Sequence, residues 1–208
     1  MNIARILFPV KVLGPGNRVG IWTCGCTHHC EGCSNPELWE FQDKYEISIE
    51  DLCNLLEKQL CDKTVDGFVI TGGDPFLQAP ELSILLKHLK DYSDDLLVYT
   101  GYTLEELRVS DDQSVIDCMK EISVLIDGRY IQAQNDGSLL RGSNNQRIIY
   151  LDESKRTKYQ EYFSKIENNH IQNFITKDGI ISVGIHRLGF QDELSTRVAR
   201  KGVIIRGE

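Results

Sequence analysis

Strand-like and helix-like segments alternate along most of this chain, and the alternation limits the folds it can adopt. Residues 49–60 carry leucines at helical spacing, whereas residues 68–71 and 96–100 are short apolar runs of strand length. Strands that alternate with helices form right-handed βαβ units on a parallel sheet. The sequence therefore predicts an α/β fold. The other predicted elements are strands at 19–24, 124–126 and 147–151 and helices at 80–92, 103–107 (opened by a Thr-x-x-Glu capping box), 114–122 and 155–166.

The bulk composition is that of an ordinary globular protein. The 208 residues suffice for one α/β domain and hardly for two. The net charge of −8 disfavours nucleic-acid binding, which needs a basic surface to neutralise phosphates. No apolar run could cross a bilayer, and the amino terminus lacks the pattern of a signal peptide. We therefore expect a cytoplasmic protein with neither a nucleic acid nor a membrane as its partner.

Four of the seven cysteines fall within residues 24–33. Cys26, Cys30 and Cys33 are spaced as C-x3-C-x2-C, and thiolates are soft ligands that suit iron–sulfur clusters and zinc. Three thiolates would leave one iron of a cubane cluster without a protein ligand, where a small molecule could chelate. The spacing favours an iron–sulfur site over zinc, since structural zinc normally has paired knuckles and no second knuckle is visible.

The zinc alternative stays open at this point, because Cys24, His28 or His29 could supply a fourth ligand. The histidines could equally tune or shield a cluster, and Trp39 is expected to pack over the site. The sequence does not decide whether Cys24 is a core thiol, a redox-sensitive neighbour or an alternative ligand. The remaining cysteines are expected to be buried, inert thiols: Cys53, Cys61 and Cys118.

Polar and glycine-rich residues follow several predicted strands. Gly72-Gly73-Asp74, Thr100-Gly101 and Asp127-Gly128 stand at such places, as does the cysteine loop. Parallel sheets carry their sites at the carboxyl ends of their strands. This coincidence indicates an active site at that edge of the sheet.

The cysteine loop after the first predicted strand resembles the signature of radical S-adenosylmethionine (SAM) enzymes. The segments around it are similar to those of glycyl radical enzyme activating enzymes, in particular the branch that activates anaerobic ribonucleotide reductases. The resemblance runs from about residue 9 to residue 151. Its motifs occur in order at 14–18, 34–39, 71–75, 99–102, 125–130 and 140–146.

The resemblance implies a partial (β/α)6-type barrel in residues 1–152, with residues 153–208 as a short C-terminal α/β extension packed on the same domain. It also implies a 4Fe–4S cluster, SAM as the second cofactor, and a 5′-deoxyadenosyl radical formed when one electron cleaves SAM. The implied partners are a glycyl radical enzyme, such as anaerobic ribonucleotide reductase, and a flavodoxin- or ferredoxin-type electron donor.

Residue by residue, the resemblance assigns Cys26, Cys30 and Cys33 to three irons, while SAM chelates the fourth. Asp74 would accept a hydrogen bond from the SAM ammonium. Gly72 and Gly73 would let the backbone approach SAM closely. The implied contacts to SAM or substrate are Gly72, Gly73, Asp74, Thr100, Asp127, Arg141, Ser143 and Asn145.

Residues beyond about 152 extend past the resemblance. Strand-like segments at 171–175 and 180–185 flank Asp178-Gly179, which predicts a hairpin, and residues 202–205 form another apolar run. This tail could complete the sheet or recognise a different substrate, with His186 and Arg187 as polar candidates. Two further functions therefore stay open: a radical SAM enzyme that modifies a peptide or small molecule, and a non-catalytic iron–sulfur or zinc protein.

Overall fold

A computed structural model of the chain describes residues 1–177 and 179–200. Its main sheet has six strands that lie side by side in the order in which they occur along the chain. The strands are β1 (Ile3–Val10), β2 (Arg18–Thr23), β3 (Gly67–Gly72), β4 (Leu96–Tyr99), β5 (Val124–Asp127) and β6 (Arg147–Tyr150).

The four central strands, β2 to β5, are mutually parallel, whereas the two edge strands are antiparallel to their neighbours. This differs from the sheet of about six parallel strands that the resemblance implies. Residues 11–17 connect β1 to β2, and a parallel crossover needs a longer connection than that. Closure into a partial (β/α) barrel stays a prediction.

Helices cover one face of this sheet. They include α1 (Ile49–Leu60), α2 (Ala79–Leu89), α3 (Leu104–Arg108) and α4 (Gln113–Glu121). Leu56 and Leu86 pack with Phe68 and Ile70 on this side, because alternate side chains of a strand point to opposite faces. Val69, between those two strand residues, belongs to a second core on the other face.

Most predicted elements are present within a residue or two of their expected ends, including the capping box of α3. Strand β1 was not predicted, although it pairs with β2 along most of its length. Leu55 lies on the exposed side of α1, so the buried apolar face of this helix is narrower than the leucine spacing suggests. Cys118 is buried as expected, but Cys61 is exposed.

Residues after β6 form a second unit of structure against the other face of the main sheet. They fold into α5 (Arg156–Lys165), the antiparallel hairpin of β7 (Gln172–Thr176) and β8 (Gly179–Val183), and α6 (Phe190–Ala199). Tyr159 and Val183 pack there with Val69 and Leu97. The predicted hairpin is present. Asp178 and residues 202–205 lie outside the described residues.

A buried ionic cluster fastens α5 to the amino-terminal end of the sheet. Arg18 Nη2 donates to Asp95 Oδ1 at 2.9 Å, and Lys158 Nζ donates to Asp95 Oδ2 at 2.6 Å. The Tyr159 hydroxyl donates to the same carboxylate at 2.9 Å. An arginine at the end of a glycine-containing segment such as 14–18 is normally solvated, whereas the structure buries Arg18 fully. Its charge is tolerated because a carboxylate faces it.

In the described part of the chain, every helix is too short or too polar to cross a bilayer.

Candidate metal and cofactor site

The cysteine loop follows β2 directly and is held by backbone hydrogen bonds. Gly25 N donates to Leu38 O at 2.9 Å, and Cys26 N donates to Trp39 O at 2.7 Å. These bonds fix the start of the loop against the short helical turn at Pro36–Leu38 and the residue that follows it. The loop therefore stands at the carboxyl end of the parallel strands, where the sequence predicted a site.

The three spaced cysteines line a single cavity of about 190 Å³. All three are partly buried free thiols, whereas Cys24 is fully buried and does not line the cavity. The glycines and polar residues after β3 and β4 form another part of the wall. Of the residues predicted to contact SAM, those that line the cavity are Gly72, Gly73, Asp74 and Thr100.

The three spaced thiols are a donor set that fits a 4Fe–4S cluster. Cys26, Cys30 and Cys33 line one cavity, and such a cluster binds each thiolate through a different iron. Three protein thiolates leave the fourth iron open to a small molecule, whereas structural zinc normally has four protein ligands in a closed site.

Burial raises the pKa of Cys26, Cys30 and Cys33, so the free thiols stay protonated until a metal displaces the protons. Nearby donors act in the opposite direction, as the Asn35 amide does at 3.4 Å from Cys33 Sγ. The Trp39 indole also favours the Cys33 thiolate, and its buried Nε1 has no partner of regular hydrogen-bond geometry among the described residues. Such donors are the groups that stabilise cluster sulfurs.

Asp74 is the polar centre of the strand-end region. Its side chain is 1% exposed, and both oxygens already accept hydrogen bonds. Oδ1 accepts from Phe76 N at 3.0 Å, while Oδ2 accepts from Gly101 N at 2.8 Å and lies 2.9 Å from His28 Nε2. The Thr100 hydroxyl lies 3.0 Å from both oxygens. Asp74 thus ties the cysteine loop to β3 and β4, and its bond to a SAM ammonium stays a prediction.

His28 lies between two cluster cysteines but points toward Asp74. Its ring is 4% exposed and meets the edge of Tyr102 at a centroid distance of 4.7 Å. Gly101 must lack a side chain, because a Cβ there would collide with the His28 ring. A role of His28 in tuning or shielding a cluster stays a prediction; the structure adds that His28 lines the cavity and connects the cysteine loop to Asp74. His29 stacks on Trp39 at 4.8 Å.

The other four predicted contact residues do not line the cavity. Asp127 is buried, pairs with Arg147 and accepts a bond from Leu104 N at 2.7 Å, so it anchors the start of α3. The other three predicted contact residues stabilise the loop before β6 through hydrogen bonds. Residues close to these four in the sequence line the cavity instead: Gly128, Gly142 and Gln146. The loop-closing residues are Arg141, Ser143 and Asn145.

The C-terminal hairpin contributes a wall that sequence reasoning missed. Residues 181–186 line the same cavity as the three cysteines. His186 was named as a polar candidate, but nothing in the local pattern placed it beside the cysteine loop. Only the packing of the hairpin on the far face of the sheet brings these two parts of the chain together.

Comparison with known proteins agrees with this geometry. The family described as "4Fe-4S single cluster domain" matches residues 12–149. A protein of Pasteurella multocida is 39% identical over 157 residues, which cover 69% of this chain and 93% of the relative. Its name is anaerobic ribonucleoside-triphosphate reductase-activating protein.

Proteins with the same name from Enterobacteria phage T4 and Escherichia coli K12 are 32% and 33% identical. These matches cover 71% and 69% of this chain, and 93% and 96% of the relatives. Nearly the whole of each relative is therefore matched, while part of this chain has no counterpart in them. The chain belongs to the family of anaerobic ribonucleoside-triphosphate reductase-activating proteins, built on a 4Fe-4S single cluster domain.

Proposed function

We propose that this chain is a radical SAM enzyme that installs a glycyl radical on an anaerobic ribonucleotide reductase. The observation that supports the proposal most directly is the common cavity of Cys26, Cys30, Cys33 and the Gly72-Gly73-Asp74 turn. The activity in the relatives' name supports the choice of partner.

The chain's own part in this reaction is to bind and to position. The three thiolates would hold the 4Fe–4S cluster, and the glycines after β3 let backbone approach closely without a side chain in the way. Asp74 and His28 hold the loop so that the thiolates keep their places.

Held by Cys26, Cys30 and Cys33, a cluster would supply the electron that cleaves SAM to methionine and a 5′-deoxyadenosyl radical, and that radical would take a hydrogen atom from a glycine Cα of the partner. The products are 5′-deoxyadenosine and the glycyl radical. The electron has to come from an external donor, for which a reduced flavodoxin or ferredoxin is the proposed source.

The test is anaerobic reconstitution with iron and sulfide, followed by reduction with dithionite in the presence of SAM. The expected product is 5′-deoxyadenosine, absent from the Cys26→Ala variant and retained in Cys61→Ala, whose exposed thiol lies at the end of α1. If the loaded cluster yields no 5′-deoxyadenosine with a competent reductant and the reductase present, the chain binds metal but does not carry out this reaction.

A second candidate function is modification of a peptide or small molecule by the same radical. The wall formed by residues 181–186 favours it, because this part of the chain lies beyond the matched family segment and could shape a different pocket. Turnover of SAM that depends on a small substrate, with no reductase present, would support this alternative.

A further inference from the structure

The hairpin presents the edge of β8 to the cavity. A strand that offers one face contributes alternate residues, since successive side chains point to opposite sides. Here three consecutive strand residues line the cavity, Ile181 to Val183, and residues 184–186 beyond the end of β8 continue the wall. An edge of the strand, rather than one face of it, therefore borders the cavity that the cysteines line.

That edge has no strand beside it in the described part of the chain. The small sheet contains β7 and β8 alone, and β8 pairs on one side only. The hairpin is nevertheless held firmly, because Gln172 Nε2 donates to Pro9 O at 2.7 Å and Asn135 Nδ2 donates to His186 O at 3.0 Å. A fixed strand with an open edge is a template for another extended segment.

His186 stands at the end of this edge with unused hydrogen-bonding capacity. Both ring nitrogens are buried, and neither has a partner among the residues that the structure describes. The ring stacks on Phe190 at 4.3 Å, and it borders both the main cavity and a second one of about 200 Å³ beside Cys33. A buried polar group without a partner is costly, so a ligand that supplies one would bind favourably there.

The outer face of the hairpin carries an apolar pair. Ile175 and Ile180 are direct cross-strand neighbours, yet they are 89% and 55% exposed. A cross-strand apolar pair stabilises a hairpin by the packing of its two side chains on each other. The exposed sides of this pair are free to contact a partner protein. The pair lies on the same two strands as the open edge, at the end of the hairpin next to its turn.

We propose that this hairpin is the docking element for the reductase, and that the β8 edge receives an extended, glycine-containing segment of it. The inference rests on the proposed function, which requires a backbone Cα of a large protein to reach a cavity too small for a folded domain. Strand addition along β8 would carry that backbone toward the cysteines. His186 would hydrogen-bond to its amides, while the isoleucine pair contacts the surface around it.

The test is binding of the reductase to the reconstituted, full-length chain, with glycyl radical and 5′-deoxyadenosine measured in parallel. Ile180→Lys places a charge on the docking surface, and Ile84→Lys on α2 is the matched control because Ile84 is 54% exposed. His186→Phe removes the ring nitrogens but can keep the stack on Phe190. His88→Phe is its control, since His88 also has a buried, unpartnered Nε2 beside an aromatic ring, Tyr92.

We expect Ile180→Lys and His186→Phe each to weaken binding by about fivefold or more, the effect of one hydrogen bond or apolar contact of ordinary strength. Radical yield at limiting reductase should fall in parallel, and the two control variants should match the wild type. Wild-type binding in both hairpin variants would overturn the docking inference and leave the proposed function standing. Cleavage of SAM by the wild type without any radical on the reductase would overturn the proposed function and the inferred occupant together.

Discussion

Two regions border the cavity, and they differ in how their polar groups are satisfied. At the strand ends, the Asp74 carboxylate accepts from the cysteine loop and from residues after β3 and β4. In the hairpin wall, both nitrogens of His186 are buried without a partner in the described part of the chain. The polar groups at the strand ends therefore satisfy one another, whereas the hairpin wall keeps hydrogen-bonding capacity that the proposed docking would use.

The largest effect is expected when a proposed cluster ligand in the cysteine loop is removed. Cys30→Ala should abolish assembly of the 4Fe–4S cluster, since two thiolates and SAM cannot hold it in place. Iron and sulfide content after anaerobic reconstitution measures the effect. Cys53→Ala, with its partly buried thiol on α1, is the control and should retain the cluster. Equal loss in both variants would refute the ligand assignment.

A change at the centre of the strand-end region should cost stability. Asp74→Ala leaves several buried donors without their acceptor, so we expect the free energy of unfolding to fall by about 3 kcal/mol. Urea denaturation of the metal-free protein measures it. The variant should also lose its cluster faster than the wild type under a chelator. A change below about 0.5 kcal/mol would show that the hydrogen bonds around Asp74 do not brace the site.

Acid should loosen the fastening of α5, and with it the unit that carries the hairpin. Burial acts to raise the pKa of Asp95, but Arg18 and Lys158 outweigh it and hold the pKa below its ordinary value. The stabilisation is therefore complete above the unfolded pKa of about 3.9 and is lost as the pH falls through the folded value.

We expect this loss to appear as a fall in unfolding free energy below about pH 4, measured by denaturation at a series of pH values. Asp95→Asn should be less stable at neutral pH and should show a shallower dependence in this range. If the unfolding free energy of both proteins falls with the same slope in acid, other carboxylates cause the loss of stability.

The smallest stability effect is expected in the hairpin wall. His186→Phe removes two unpartnered polar atoms from a buried position and should change the free energy of unfolding by less than about 0.5 kcal/mol, in the stabilising direction if at all. The same denaturation experiment measures it. A loss of 2 kcal/mol or more would mean that His186 has a structural partner, and the contrast with Asp74 would disappear.

Local patterns were enough to predict the central part of the fold. The capping residues of α3 and the leucine spacing of α1 and α2 act within a few residues, so the elements could be read directly. The C-x3-C-x2-C spacing and the glycines after β3 are also local patterns, so they indicated the candidate site from the sequence alone. Parallel strand order then brought these separate segments to one edge.

Features that depend on distant packing could not be predicted. Arg18 is buried because Asp95, distant in the sequence, lies against it. Strand β1 has no clear alternation of apolar and polar residues, and only its pairing with β2 identifies it as a strand. His28 reads as a possible ligand until the geometry shows Asp74 beside it. The hairpin wall is the strongest case, since residues 181–186 meet residues 26–33 only in the folded chain.

The most direct test of the account is electron paramagnetic resonance of the reductase after anaerobic incubation with the reconstituted chain, SAM and a reductant. We expect a glycyl radical signal on the reductase and formation of 5′-deoxyadenosine, both lost in Cys26→Ala. A reductase that stays radical-free with a loaded cluster present, or a signal of equal size from Cys26→Ala, would contradict the proposed function.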